Sequence, residues 1–313
     1  MAAPAPEIVI CEFMDEAAVA SLAARAETLY DPQMVDRPAD LRAALREARA
    51  LIVRNRTQVR PDLLDSAPRL ACVGRLGVGL DNIDLEACRA RGIKVHPATG
   101  ANDDAVAEYV VMAAMLLLRP AFLRTDAMIA GAWPRNQAIG REIAGRRAGL
   151  IGFGGTARAA AARLRALGMR IAASDPGLPA DHPAWAGAER MALDDLLAGA
   201  DLVSLHVPLT PDTRHLIDAA ALARMKPDAV LVNAARGGVV DEAALIGALR
   251  SGRLGGAALD VFEHEPLGAA AGAAFQGVPN LLLTPHIAGV TEESNARVSS
   301  LIARLILQGL GLE

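Results

Sequence analysis

"GLIGFGGTARAAAARLRALGMRIAASDP", Gly149 to Pro176, holds the reading that decides the fold. A short apolar run enters Gly152, and a helix-like segment rich in alanine and arginine opens just after Gly154. A second apolar run ends at Asp175. The pattern is strand, tight turn, helix, strand, with the turn spaced Gly152-x-Gly154-x-x-Ala157. Gly152 permits the turn, Gly154 lets backbone approach a pyrophosphate, and Ala157 is small enough for close helix–strand packing. The helix start offers N–H groups to phosphates. Asp175 follows Gly154 by 21 residues, where a carboxylate can accept hydrogen bonds from a ribose diol. That charge repels a 2′-phosphate, and "SDPGLP" adds no arginine, so the pattern predicts NAD over NADP.

Outward from this stretch the same rhythm repeats. "RAGLIGFG", "MRIAASD", "DLVSLHVP", "AVLVNAAR", "GAALDVFE" and "LLLTPHI" are short apolar runs, each ending in turn or polar residues. Upstream, "IVICEFM", "ALIVRN", "RLACVGRL" and "IKVHP" form another series separated by helix-like segments. Alternating short strands and helices imply an α/β fold with parallel sheets covered on both faces. Between the series, "ATGANDDAVAEYVVMAAMLLLRP" reads as a loop and a long helix, capped by Asp103 or Asp104 and stopped by Pro120. The last segment, "TEESNARVSSLIARLILQGL", reads as an amphipathic helix. The expected architecture is therefore two Rossmann-like, doubly wound domains with a cleft between them. Residues 1–97 plus 288–313 would form a discontinuous substrate domain, and 98–287 the cofactor domain. Hinges are expected near 98–102 and 286–290.

Composition narrows the class. The 313 residues are 52% hydrophobic with a net charge of only −4 and no run of like charge, which argues against nucleic acid or an anionic membrane as partner. The longest apolar run, "VVMAAMLLL", is shorter than the ~20 residues a membrane span needs. "MAAPAPEIVICEF" lacks the basic start of an export signal. Cys11, Cys72 and Cys88 show neither metal nor disulfide spacing, which fits a reducing cytoplasm and no metal.

Ligands of doubly wound sheets bind at the carboxyl ends of the strands. Arg236 ends "AVLVNAAR" and is followed at once by Gly237 and Gly238, so it is expected to face the cleft. Arg54 and Arg56 end "ALIVRNR", and Arg75 ends "ACVGR". Arginines from neighbouring strands can converge on one anion, and burying an anion unpaired is costly. This predicts a substrate with a second anionic group, a phosphate or a sulfonate. The competing reading is that Arg54 or Arg75 pairs with a carboxylate of its own domain.

Seven ordered stretches, "VGRLGVGLDNID", "PATGANDDAVAEYV", "GLIGFGGTA", "LHVPLTPDTRHLI", "VNAARGGVVDEAAL", "GAALDVFEHEP" and "TPHIAG", resemble the D-2-hydroxyacid dehydrogenase family over essentially the whole chain. "RNRTQV", "GRLGVGLDNID" and "HIAGVTEESN" look most like its sulfolactate dehydrogenases, and the first half also like its 3-phosphoglycerate dehydrogenases. The resemblance implies that Arg236 grips the substrate carboxylate and carbonyl oxygen, that His286 is the acid/base, and that Glu265 orients the histidine and raises its pKa. It further implies that Val78 and Gly79 receive the carboxylate by their amides and that Asn102 lines the same site. Gly155, Thr156, His206, Pro208, Thr213, Ala234, Asp260 and Ala288 would line the cofactor, with Asp260 near the nicotinamide ribose or amide. A homodimer through the apolar helix "VAEYVVMAAMLLLR", Val106 to Arg119, is implied too.

The best substrate reading is 3-sulfolactate, with 3-phosphoglycerate next and a glyoxylate/hydroxypyruvate reductase after that. The chain ends soon after its terminal helix, so the regulatory domain of some phosphoglycerate dehydrogenases, with its serine feedback, is not expected. A different class, the NAD-sensing corepressors of this fold, keeps the same Arg-Glu-His set. Against it stand the lack of a disordered extension and of an obvious peptide-binding surface.

Overall fold

The structure, a computed structural model, describes residues 5–313. Residues 1–4, part of the stretch read for an export signal, lie outside the described residues. The chain divides into two compact units. One takes the chain as far as Asn102 together with Val290–Glu313, and the other is Asp103–Gly289. The divisions fall at 102/103 and 289/290, where the sequence placed them at 97/98 and 287/288. After the fifth strand the chain stays on the first unit: Ala98 is buried there, with Ala101 packed on the same core, and donates its amide to the Gly77 carbonyl at 2.9 Å.

In the first unit, β1 (Ile8–Ile10), β2 (Thr28–Tyr30), β3 (Ala50–Val53), β4 (Cys72–Arg75) and β5 (Lys94–Pro97) make one parallel sheet, ordered β2-β1-β3-β4-β5. Every residue of β1 and β3 is buried, which is why both read as continuous apolar runs. Leu22 from helix Glu16–Ala23 and Ile302 and Ile306 from helix Glu292–Leu310 cover one face. Leu41, Leu63 and Cys88, from three short helices, cover the other. The terminal helix starts with a capping box between Thr291 and Ser294.

In the second unit, β6 (Arg147–Ile151), β7 (Arg170–Ser174), β8 (Glu189–Arg190), β9 (Leu202–Leu205), β10 (Val230–Asn233), β11 (Gly256–Leu259) and β12 (Leu281–Leu283) form a seven-stranded parallel sheet, ordered β12-β11-β10-β9-β6-β7-β8. Helices Asp103–Leu118 and Gly155–Ala166 pack on one face. Helices Leu193–Gly199, Ala219–Arg224 and Glu242–Arg250 pack on the other. Among the described residues no single helix is long and apolar enough to cross a membrane.

Both sheets reverse their direction of growth once. The reversal lies between β1 and β3 in the first unit and between β6 and β9 in the second. A crevice opens at the carboxyl ends of strands at such a point. Glu12 and Arg54 stand at the first reversal, Gly152 and His206 at the second.

Candidate active site

The second unit carries the glycine loop. Gly152 has φ +83°, and a Cβ there would lie 2.5 Å from the His206 carbonyl oxygen, so only glycine fits. Gly154 starts helix Gly155–Ala166 with no side-chain cap, and the first-turn amides have no partner inside the helix. A Cβ on Gly154 would meet nothing within 4 Å, while one on Gly155 would run into the Asp103 carboxylate. Ala157 is fully buried at the helix–sheet contact. Asp175 is half-buried after β7 and accepts the Phe153 amide on Oδ2 (2.8 Å) and the Gly177 amide on Oδ1 (2.9 Å). A carboxylate has about four acceptor sites, so room remains for a diol. First-turn amides without a side-chain cap, for a pyrophosphate, and a carboxylate, for a ribose, fit NAD. The Thr156 hydroxyl donates to Asp103 Oδ1 (2.6 Å) and ties this loop to the start of helix Asp103–Leu118.

Around the loop, His206 Nε2 lies 3.0 Å from Ser204 Oγ. Burial pushes the His206 imidazole down to about 4, so it is neutral at pH 7 and cannot deliver a proton there. Thr213 Oγ1 donates to the Pro208 carbonyl (2.6 Å) and closes the turn after β9.

At the ends of β10, β11 and β12 the reactive set takes shape. Asn233, last in β10 and buried, accepts the Ala235 amide on Oδ1 (3.1 Å) and donates from Nδ2 to the Arg236 carbonyl (3.0 Å). This clamp holds Ala234 to Arg236 in a tight turn, and Gly238 at φ +77° takes the chain away. Arg236 Nη1 donates to the Ala235 carbonyl (2.6 Å). Glu265 accepts the Phe262 amide on Oε1 (3.0 Å), and its Oε2 lies 2.7 Å from His286 Nδ1. Burial pushes the Glu265 carboxyl up, but hydrogen bonds from His286 and the Phe262 amide, with the charges of His286 and Arg236, hold it below the usual range. Glu265 is therefore ionised and fixes Nδ1, which leaves Nε2 for chemistry.

His286 sits at φ +53°, a left-handed backbone that costs a non-glycine residue roughly 1–2 kcal/mol. Asp260 holds it there. The Asp260 carbonyl accepts the His286 amide (2.8 Å), Oδ1 accepts the Ile287 amide (2.8 Å) and the Thr284 hydroxyl (2.6 Å), and Oδ2 accepts the Ala288 amide (2.8 Å). Thr284 spends its proton on Asp260, so Tyr109, 2.7 Å away, donates to Thr284. Asp260 is 1% exposed and Ala288 4%, and both take part in positioning the histidine loop.

The first unit carries the anion-binding candidates. Buried Glu12 accepts the amides of Arg54 (2.9 Å) and Thr57 (3.0 Å) on Oε1 and those of Asn55 (3.3 Å) and Arg56 (3.1 Å) on Oε2. Burial pushes the Glu12 carboxyl up, and these amides more than offset it. Asn82 Nδ2 closes the loop from the other side on the carbonyls of Thr57 (2.7 Å) and Arg54 (3.3 Å). Arg54 is half-buried and its Nη2 donates to Asn295 Oδ1 (3.0 Å). Its guanidinium carbon lies 5.7 Å from the centre of the Phe13 ring. Among the described residues Arg54 has no carboxylate partner, unlike Arg56, which is exposed and ion-paired to Asp36. Arg56 is thus a correction: its charge is committed at the surface.

Arg75 folds back over Gly77, with Nη1 on the Leu76 carbonyl at 3.3 Å. Among the described residues no protein group takes the amides of Val78 or Gly79. Asn102 ends the first unit, half-buried. Glu12, Phe13, Asn82, Asn233, Thr284 and Asn295 were not singled out from sequence. Glu12 alone left a signal, an acid inside the apolar run "IVICEFM". No group of acidic, histidine and cysteine side chains suited to a metal occurs among the described residues.

Comparison with known proteins bears on the whole arrangement. Residues 111–288 match the family model described as D-isomer specific 2-hydroxyacid dehydrogenase, NAD binding domain. The chain is 52% identical to the (S)-sulfolactate dehydrogenase of Chromohalobacter salexigens, over 98% of this chain and 99% of that protein. It is 40% identical to the D-3-phosphoglycerate dehydrogenase of Mycobacterium leprae over 97% of this chain, but spans only 57% of that longer protein. Among solved structures it matches the TT0316 protein of Thermus thermophilus with a TM-score of 0.85 at 31% identity, covering 97% of this chain and 96% of that one.

Proposed function

The chain belongs to the D-isomer specific 2-hydroxyacid dehydrogenase family, and from that premise we propose that it oxidises or forms a 2-hydroxy acid bearing a second anionic group, 3-sulfolactate first. NAD supplies the hydride-accepting ring when bound. In this reading His286 Nε2 takes the hydroxyl proton during oxidation and returns it to the carbonyl oxygen during reduction. Glu265 keeps the Nδ1 proton in place and stabilises the imidazolium that forms. Arg236 forks onto the substrate carboxylate and the oxygen on the reacting carbon, as a planar guanidinium can. The Val78 and Gly79 amides take the carboxylate, with Asn102 and Arg75 beside them. Arg54 takes the distal sulfonate.

The observation that carries the substrate choice is Arg54, a half-buried guanidinium with no carboxylate partner among the described residues. A lactate-like acid gives such a charge nothing to bind. The expected consequence is that Arg54→Gln raises KM for 3-sulfolactate by about 10²-fold while lactate turnover changes little, since a lost charge-assisted bond is worth about 1.5–3 kcal/mol. Steady-state kinetics of wild type and variant on both acids checks it. An equal loss on both would remove the distal-anion role.

We also propose a homodimer in a reducing compartment. Phe122, Ile129, Trp133 and Ile139, on the segment that follows helix Asp103–Leu118, are 72–80% exposed, and that helix lines a groove through Val111, Met112 and Met115, with Leu167, Glu108 and Arg163. Exposed large apolar side chains mark an association surface, and a second copy of the same face is the occupant that closes it. All three cysteines are free thiols and buried.

A further inference from the structure

We propose that Asn295 is a specificity-determining residue: it aims the Arg54 guanidinium at the distal anion without neutralising it. The inference rests on the substrate reading above and deepens it.

The base of Arg54 is rigid, because Glu12 gathers four consecutive amides of its loop and Asn82 takes two carbonyls. Among the described residues the tip meets the Asn295 amide oxygen and the Phe13 ring, and neither bears a charge. Among the described residues Glu12 is the acid that acts on Arg54 electrostatically, and its carboxylate is already spent on backbone amides. Five other arginines of this unit, Arg37, Arg42, Arg49, Arg69 and Arg91, each sit on a carboxylate instead.

Position 295 lies in the first turn of helix Glu292–Leu310, where the helix dipole favours an acid, and Glu292 and Glu293 precede it. Local helix energetics would therefore favour aspartate. The amide serves Arg54 instead: its oxygen takes one of five guanidinium N–H groups, and the charge stays available to a sulfonate or phosphate. Aspartate has the same shape. It would form a charge-assisted pair with Arg54 and compete with the substrate's anion.

The test is Asn295→Asp, Asn295→Ser and wild type, each assayed with NAD on 3-sulfolactate, 3-phosphoglycerate and lactate. In Asn295→Asp, KM for the preferred dianionic acid should rise about thirtyfold with kcat changed less than about threefold, about 2 kcal/mol of binding. The selectivity over lactate should fall by a similar factor. Asn295→Ser, which keeps a neutral acceptor, should stay within about threefold of wild type. Should Asn295→Asp not fold, Asn295→Leu serves, with a KM-only loss of about fivefold on the dianionic acid.

An unchanged selectivity, an equal loss on lactate, or a loss confined to kcat would overturn the role of Asn295. Wild-type turnover of lactate without turnover of either dianionic acid would instead overturn the substrate reading, and is seen before any variant is made.

Discussion

Two buried or half-buried titrating groups, His206 and Glu12, contribute to how this protein answers to acid, beside His96, Asp201 and Glu265. His206 is pushed down to about 4 by burial, against about 6.5 in an unfolded chain. Between those values the unfolded chain binds a proton that the folded chain refuses, so stability falls as pH drops from 6.5 towards 4. Glu12 adds to this at lower pH. Its carboxyl is held below the ordinary 4.5, so its stabilisation is complete above that value and is lost as pH falls further. Urea denaturation from pH 7 down to about pH 3 should show both limbs. His206→Asn should flatten the upper limb, and Glu12→Gln the lower, at a cost of about 1–3 kcal/mol at pH 7 because its amide NH₂ would face backbone N–H donors. A profile unchanged by either substitution would contradict the assignment. Single residues were read in two ways: Gly152, Asp175, Arg54 and Arg236 from motif spacing and strand ends, Glu265 and His286 from the family resemblance. Asn295 follows from neither, because Arg54 is 241 residues away and an asparagine in a helix start has no reason in its own neighbourhood.

Elements were more legible, for a physical reason. Strands buried on both faces leave continuous apolar runs, so β1, β3, β4, β6, β9 and β10 are visible in the chain. β2 and β8 escaped because they are edge strands of 3 and 2 residues without a continuous apolar run, whereas β12, an edge strand of 3 residues, was visible from its three leucines. Helix Asp103–Leu118 was expected and is present, and its buried face, with Val106, Val110 and Leu117, explains much of its hydropathy. The rest belongs to Met112 and Met115, about half exposed, and to the segment beyond Pro120. That surface carries the dimer proposal. Ile129→Glu combined with Trp133→Glu should bring the mass measured by light scattering from about twice 32.6 kDa to 32.6 kDa. A monomeric wild type, or a dimer that survives both charges, would put the association elsewhere.

For the whole molecule, two sheets that each reverse once put their chemistry at the carboxyl ends of parallel strands, Arg54 in one unit and Arg236, Glu265 and His286 in the other. Alternating apolar runs were enough to expect two such sheets. The unit boundaries depended on where Ala98 and Ala101 pack, which no local pattern states. Together these features support the proposal that the dehydrogenase requires a second anion on its substrate. The decisive assay is NADH formation by the purified chain with NAD and 3-sulfolactate, 3-phosphoglycerate, malate, lactate and glycerate in turn. kcat/KM should be highest for 3-sulfolactate, with lactate and glycerate lower by at least about 10²-fold. Comparable turnover of lactate or glycerate would contradict the requirement.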